Sequence, residues 1–210
     1  MFWEYTFNPY NSLESISLVD CKQFKIKVSH VPSIKQFTNI HTREDLVLPQ
    51  ADDVNKIIQF PLRVYEGYNT SGKMESVFDF TNRQSSYYRH ASEILGLVES
   101  DDRHRYKLTH KGEEYFKLPT EKRSNFICRL LLEFPIMNEI FLDISSDRDK
   151  SITKQHIIDL LKKKSDLTGS TLERRARTIR SWFRWIRNNL GIVEVDRYGR
   201  IRISRQLSLA

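Results

Sequence analysis

The sequence predicts a mainly helical α+β chain with small β-wings, built as two similar modules behind a short β-rich segment. Three observations predict it. From residue 51 onward apolar residues recur at helical spacing, and strict alternation is confined to short runs. Each of two helical stretches ends at a Gly followed by a hairpin-like pair of alternating runs. The two stretches also match at an offset of 95 residues. Leu95-Gly96-Leu97-Val98-Glu99 aligns with Leu190-Gly191-Ile192-Val193-Glu194, Asp101 with Asp196, Arg105 with Arg200, and Lys107-Leu108-Thr109 with Arg202-Ile203-Ser204. A domain-sized period is the signature of a duplicated unit. Convergence on a common supersecondary unit is the plain alternative. The expected segments are 1–50, 51–120 and 121–210.

Within 1–50, Ser15–Val19 and Phe24–Val28 alternate as short strands do, and Pro32 and Pro49 punctuate the rest of the segment. In 51–120, Asp52 or Asp53 can cap a helix carrying Val54, Ile57, Ile58 and Leu62, although Pro61 argues against a straight one. A short helix is expected over Lys73–Phe78. Thr81 or Asn82 can cap another over Arg83–Leu95, closed by Gly96, with Tyr87, Ala91, Ile94 and Leu95 on its core side. Leu97–Glu99 and Arg105–Thr109 then read as a hairpin around Ser100–His104. In 121–210, Ser124–Leu142 is a long apolar stretch, bent or broken near Pro135. Ser151 or Thr153 caps a helix through Lys164, Leu167–Ser170 is a turn, and Leu172–Leu190 is a helix ended by Gly191. Ile192–Val195 and Arg200–Ser204 flank a turn at Arg197-Tyr198-Gly199. Three helices and a hairpin in that order form the plan of a winged helix-turn-helix module, repeated in tandem.

The chain has 39% hydrophobic and 29% charged residues, an ordinary balance for packed domains. Its net charge of +7 and isoelectric point near 9.4 favour a polyanionic partner. Cys21 and Cys128 form neither a metal-ligand spacing nor a disulfide framework, which suggests a reducing compartment. There is no signal-like start and no apolar run long enough to span a bilayer, so a cytoplasmic chain without a membrane partner is expected.

The Leu172–Leu190 helix carries the clearest functional pattern. At about 100° per residue, its apolar positions share one face, while Arg177, Arg180, Arg184 and Arg187 share an adjoining one, with Arg174 at its edge. Arginine forks onto phosphates and pairs with guanine edges in the major groove. A solvated charged face is the plain alternative. Only Glu173 supplies a carboxylate within the helix, so neutralising partners are few. Trp182 and Trp185 read as packing residues. In the first module Arg83, Gln84, Ser85, Ser86 and Arg89 are expected on the outward side of the third helix. Arg83 and Gln84 stand at its start, where base edges are read. The wings add Arg103, Arg105 and Lys107 in the first module and Arg197, Arg200 and Arg202 in the second. Such residues hold phosphates or enter the minor groove.

Asn82-Arg83-Gln84-Ser85-Ser86-Tyr87-Tyr88-Arg89-His90-Ala91, then Leu95-Gly96-Leu97-Val98, then Tyr106-Lys107-Leu108-Thr109-His110-Lys111-Gly112 resembles the winged helix modules of type II restriction endonucleases. The run Leu48-Pro49-Gln50-Ala51-Asp52-Asp53-Val54-Asn55-Lys56-Ile57-Ile58 resembles the usual start of that module. The tandem plan is similar to the recognition half of FokI-like enzymes. The resemblance covers about residues 48–205. It implies sequence-specific recognition of double-stranded DNA in a restriction–modification system, with cleavage supplied by a separate nuclease subunit or domain.

Two alternatives belong to other classes. A complete small restriction endonuclease would need Mg²⁺ and an acid-x-Lys triplet, for which Asp20-Cys21-Lys22 is the best match. Too little chain precedes it to frame such a site. Asp147-Arg148-Asp149-Lys150 offers a second triplet, but in a loop between helices. A transcriptional regulator would use the same modules without cutting. The six histidines form no metal motif, no Gly-rich phosphate loop is present, and no cofactor is expected.

Overall fold

The computed structural model describes residues 49–204. The expected strands at 15–19 and 24–28, and the Asp20 and Lys22 pair, lie outside the described residues. The chain divides into two compact units. One spans Leu48–Lys117, and the other takes the described residues from Leu118 onward. Among the described residues the chain is mainly helical, with two small two-stranded antiparallel sheets. No described helix is long and apolar enough to cross a membrane.

The first unit runs α1 (Val54–Tyr65), α2 (Ser71–Phe78), α3 (Asn82–Ile94), β1 (Val98–Ser100), β2 (Tyr106–Leu108) and α4 (His110–Lys117). Asp53 caps α1 by accepting from the amides of Asn55 at 2.9 Å and Lys56 at 3.4 Å. As the helical spacing of Val54, Ile57, Ile58 and Leu62 predicts, α1 continues through Pro61, which is buried with Val54, Ile57, Phe60 and Val64. A proline in mid-helix has no N–H, so the carbonyl of Ile57, four residues earlier, lacks its helical donor. The Ser92 hydroxyl of α3 donates to that carbonyl at 3.1 Å. A neighbouring helix thus supplies the hydrogen bond that the proline removes.

Thr81 caps α3 in a reciprocal box with Gln84. The buried face of α3 is Ser85, Tyr88, Ala91 and Ser92. The expected core residues Tyr87 and Ile94 are only half-buried. The buried face is turned toward Ser85 and Ser92, and Ser92 meets the backbone of α1 directly. Stacked Phe78, Phe80 and Tyr88 rings, 4.7 and 4.9 Å between successive centroids, close the remaining space. The helix α4 is an addition to the expected elements. Thr109 caps it, accepting from the Gly112 amide at 3.0 Å. Gly112 sits so near β1 that an added Cβ would overlap the carbonyl oxygen of Leu97.

The second unit runs α5 (Thr120–Glu133), α6 (Pro135–Ser146), α7 (Lys154–Lys164), α8 (Gly169–Leu190), β3 (Val193–Val195) and β4 (Ile201–Ile203). Pro135 breaks the apolar stretch as its ring requires and opens α6 at its first position. Thr153 caps α7 with His156 as the reciprocal partner. The helix α8 starts three residues before the expected Leu172, absorbing Gly169 and Ser170. Its apolar face, including Ile179, Trp182, Phe183 and Ile186, is fully buried.

The 95-residue repeat is also a repeat of structure. Val98 pairs with Leu108 and Glu99 with Lys107; Val193 pairs with Ile203 and Glu194 with Arg202. The cross-strand acid–base pairs close at 3.1 Å in the first hairpin and 2.5 Å in the second. In the first turn, Asp101 accepts from the amides of Arg103 and Arg105 and from Arg105 Nε. In the second, Asp196 accepts from the amides of Tyr198 and Arg200 and from Arg200 Nε. The segment before α2 in the first unit and the segment before α7 in the second also join the hairpins. The Tyr106 amide donates to Asn69 O at 2.8 Å, and Ile201 exchanges hydrogen bonds with Ile152 at 2.8 and 2.9 Å.

Candidate nucleic-acid interface

The charge of the chain is unevenly placed. Residues 48–117 hold ten Lys and Arg against eleven Asp and Glu, whereas residues 118–204 hold eighteen against eleven. The second unit alone accounts for the basic character of the described chain.

In that unit, Arg174, Arg177 and Arg184 are exposed along α8, and their guanidinium groups make no ion pair among the described residues. Glu173, the one carboxylate in the helix, turns to Lys154 of α7 at 3.1 Å. The remaining arginines of the stripe are committed elsewhere, which corrects the expectation of one uniform face. Arg180 donates from Nε to Gly199 O at 3.1 Å and from Nη2 to Tyr198 O at 3.0 Å. Burial holds its pKa below the ordinary guanidinium value, and the neighbouring charge of Arg184 adds to that. Arg187 donates to Val195 O at 3.4 Å. Two arginines thus grip the second hairpin, while three face outward. Trp182 and Trp185 are buried and pack rather than project.

The second hairpin presents Arg197 and Tyr198 at its tip. Tyr198 is 64% exposed, with Arg197 4.7 Å and Arg200 5.7 Å from its ring centroid. Arg200 is paired with Asp196 and Arg202 with Glu194. Charge patterning alone passes over Tyr198; an aromatic residue between two arginines in a hairpin turn is the signal that marks it. Arg148, Asp149 and Ser151 line a shallow cleft of about 210 Å³ with Asp196, Arg200 and Arg202. Lys150, in the second triplet, pairs with Asp143 at 2.5 Å.

The first unit departs further from expectation. Ser85 is completely buried, not outward, and its hydroxyl has no hydrogen-bond partner among the described residues. Gln84 is exposed, but its Oε1 accepts from Thr81 N at 2.9 Å. A two-point contact to adenine needs that oxygen free. Arg83 folds over Tyr87, donating to its hydroxyl at 2.5 Å. Arg89 pairs with Glu93 at 3.0 Å. Burial pushes the Glu93 carboxyl up, but hydrogen bonds from His90, Ser100 and Arg89 outweigh it and hold it below its ordinary value. Ser86 is exposed. On the first hairpin, Arg105 pairs with Asp101 and Lys107 with Glu99, leaving Arg103 exposed at the turn.

Among the described residues no group of His, Cys, Asp or Glu is placed to hold a metal ion. Neither the curated proteins nor the solved structures include a match to this chain. From the first turn of α1 to the last residue of α8, residues 56–190, the chain matches the model of a domain of unknown function, DUF7226, and it belongs to that family.

Proposed function

We propose that this chain binds double-stranded DNA through two winged helix-turn-helix modules, with α8 and the second hairpin as the principal contact surface. One observation carries the reading. Arg174, Arg177 and Arg184 form an exposed row without carboxylate partners among the described residues, on a helix whose opposite side is buried. Like charges set along one helix repel each other, and a polyanion relieves that cost. The element order supports the modules: α1, α2 and α3 precede the first hairpin, and α6, α7 and α8 precede the second, whose second strand, like that of the first, is joined by the segment before the middle of those three helices. The restriction–modification setting, with cleavage supplied by a separate nuclease, rests on the sequence resemblance.

The test uses the whole chain and a random duplex library, with and without Mg²⁺, scored for enriched sequences and for cut ends. Enrichment without cutting is expected. Failure to retain duplex at low salt would sink the reading. Arg177→Ala and Arg184→Ala should each lower the salt dependence of binding by about one log–log unit. An unchanged slope would mean that the row does not touch phosphate.

A further inference from the structure

The duplex-binding reading leaves Arg180 with an unusual position. It lies in the arginine stripe of α8, yet its guanidinium donates to two backbone carbonyls of the hairpin turn. The turn is shaped to receive it. Gly199 adopts φ +75°, and a Cβ there would overlap the guanidinium of Arg180. The two carbonyls belong to Tyr198 and Gly199, and the exposed tip residues Arg197 and Tyr198 are set directly beside them. The first unit lacks the device. At the same offset of 95 residues, Arg180 corresponds to the buried Ser85 and Gly199 to His104. The Ser85 hydroxyl reaches no partner among the described residues, so the side chain at that helix position does not grip the first turn.

We infer that Arg180 is a positioning residue: it locks the second hairpin tip to α8, so that Arg197 and Tyr198 meet the duplex in fixed register with Arg177 and Arg184. This rests on the duplex-binding reading. A bidentate fork is what the role requires, because two adjacent carbonyls on a turn are held by two N–H groups in one plane. A lysine at this position would keep the charge but not the fork. An alanine at Gly199 would keep the arginine but displace it from the turn.

The experiment measures binding of a fluorescein-labelled mixed-sequence duplex to the full chain by anisotropy. Variants are Arg180→Lys, Gly199→Ala, Arg197→Ala, Arg184→Ala and the relevant doubles, each checked by thermal melting to be folded at the assay temperature. Arg180→Lys and Gly199→Ala, both charge-conserving, should each weaken binding roughly fivefold to tenfold. Arg197→Ala should weaken the wild type by a similar factor but add little to Arg180→Lys, because an unlocked tip no longer delivers Arg197. Arg184→Ala should remain additive with Arg180→Lys. If Arg180→Lys and Gly199→Ala bind like the wild type, or if Arg180→Lys and Arg197→Ala add in full, Arg180 is not a positioning residue. If the wild-type chain does not bind duplex at all, the functional reading itself fails, and that outcome is distinct from additive losses in a chain that binds.

Discussion

Ser92 shows how a single polar side chain can decide whether a helix survives its own sequence. Pro61 removes the N–H that would bond to Ile57 O, and a buried carbonyl without a donor is costly. The Ser92 hydroxyl, itself fully buried, supplies the donor from α3. Ser92→Ala should therefore destabilise the first unit by about 2 kcal/mol, the cost of one unsatisfied buried acceptor. The cause can be separated from lost packing by a double-mutant cycle. Pro61→Ala restores an N–H to α1, so Ser92→Ala should cost clearly less in that background, measured by chemical denaturation. Equal costs in both backgrounds would show that Ser92 acts through packing alone. The serine at 92 is readable as a helix residue, but its role depends on a proline 31 positions earlier on another helix.

At the scale of elements, the two hairpins are fastened alike, by one aspartate each at the turn. Backbone and side-chain hydrogen bonds from Arg105 hold the Asp101 carboxyl below its ordinary range; the Arg200 side chain and amide do the same for Asp196. A carboxylate with a depressed native pKa contributes stability that is present above its unfolded value, about 4. That contribution is lost as the pH falls through the lower native value. The hairpins should thus loosen as pH falls below about 4. The double variant Asp101→Asn, Asp196→Asn should show a shallower fall of melting temperature with acidification than the wild type; an identical fall would rule out this fastening. Elements of this kind are legible in sequence because their signals are local. Thr81 and Thr153 cap α3 and α7 within three residues, Gly96 and Gly191 close α3 and α8 at φ +68° and +65°, and strand alternation marks the hairpins. The helix α4 is hidden because its cap, Thr109, also completes the alternating run of β2. The buried face of α3 is misleading because Ser85 and Ser92 are small polar residues that read as surface positions, although both are buried. Arg180 reads as a free cation because a carbonyl partner 18 or 19 residues away leaves no trace in charge patterning.

For the whole molecule, repetition of the hairpin has not meant repetition of the surface. The hairpin registers and turn aspartates repeat at 95 residues, yet the helix faces diverge. Arg177, Arg180 and Arg187 of α8 correspond to Asn82, Ser85 and Ser92 of α3, and only Arg184 keeps an arginine, Arg89, which is paired with Glu93. With near-neutral charge in residues 48–117 and a surplus of seven in 118–204, long-range attraction to a polyanion arises in the second unit. Affinity and its salt dependence should follow that division. Removing Arg83 and Arg89 together should change duplex affinity by less than about threefold and leave the salt slope near its wild-type value, because neither side chain is free of an internal partner. Removing Arg177 and Arg184 together should lower the slope by about two units and the affinity by at least roughly tenfold. Anisotropy titrations over a range of salt concentrations distinguish the two pairs. Equal slope losses for both would mean that the first unit meets phosphate as fully as the second, and that its internal pairs open on binding.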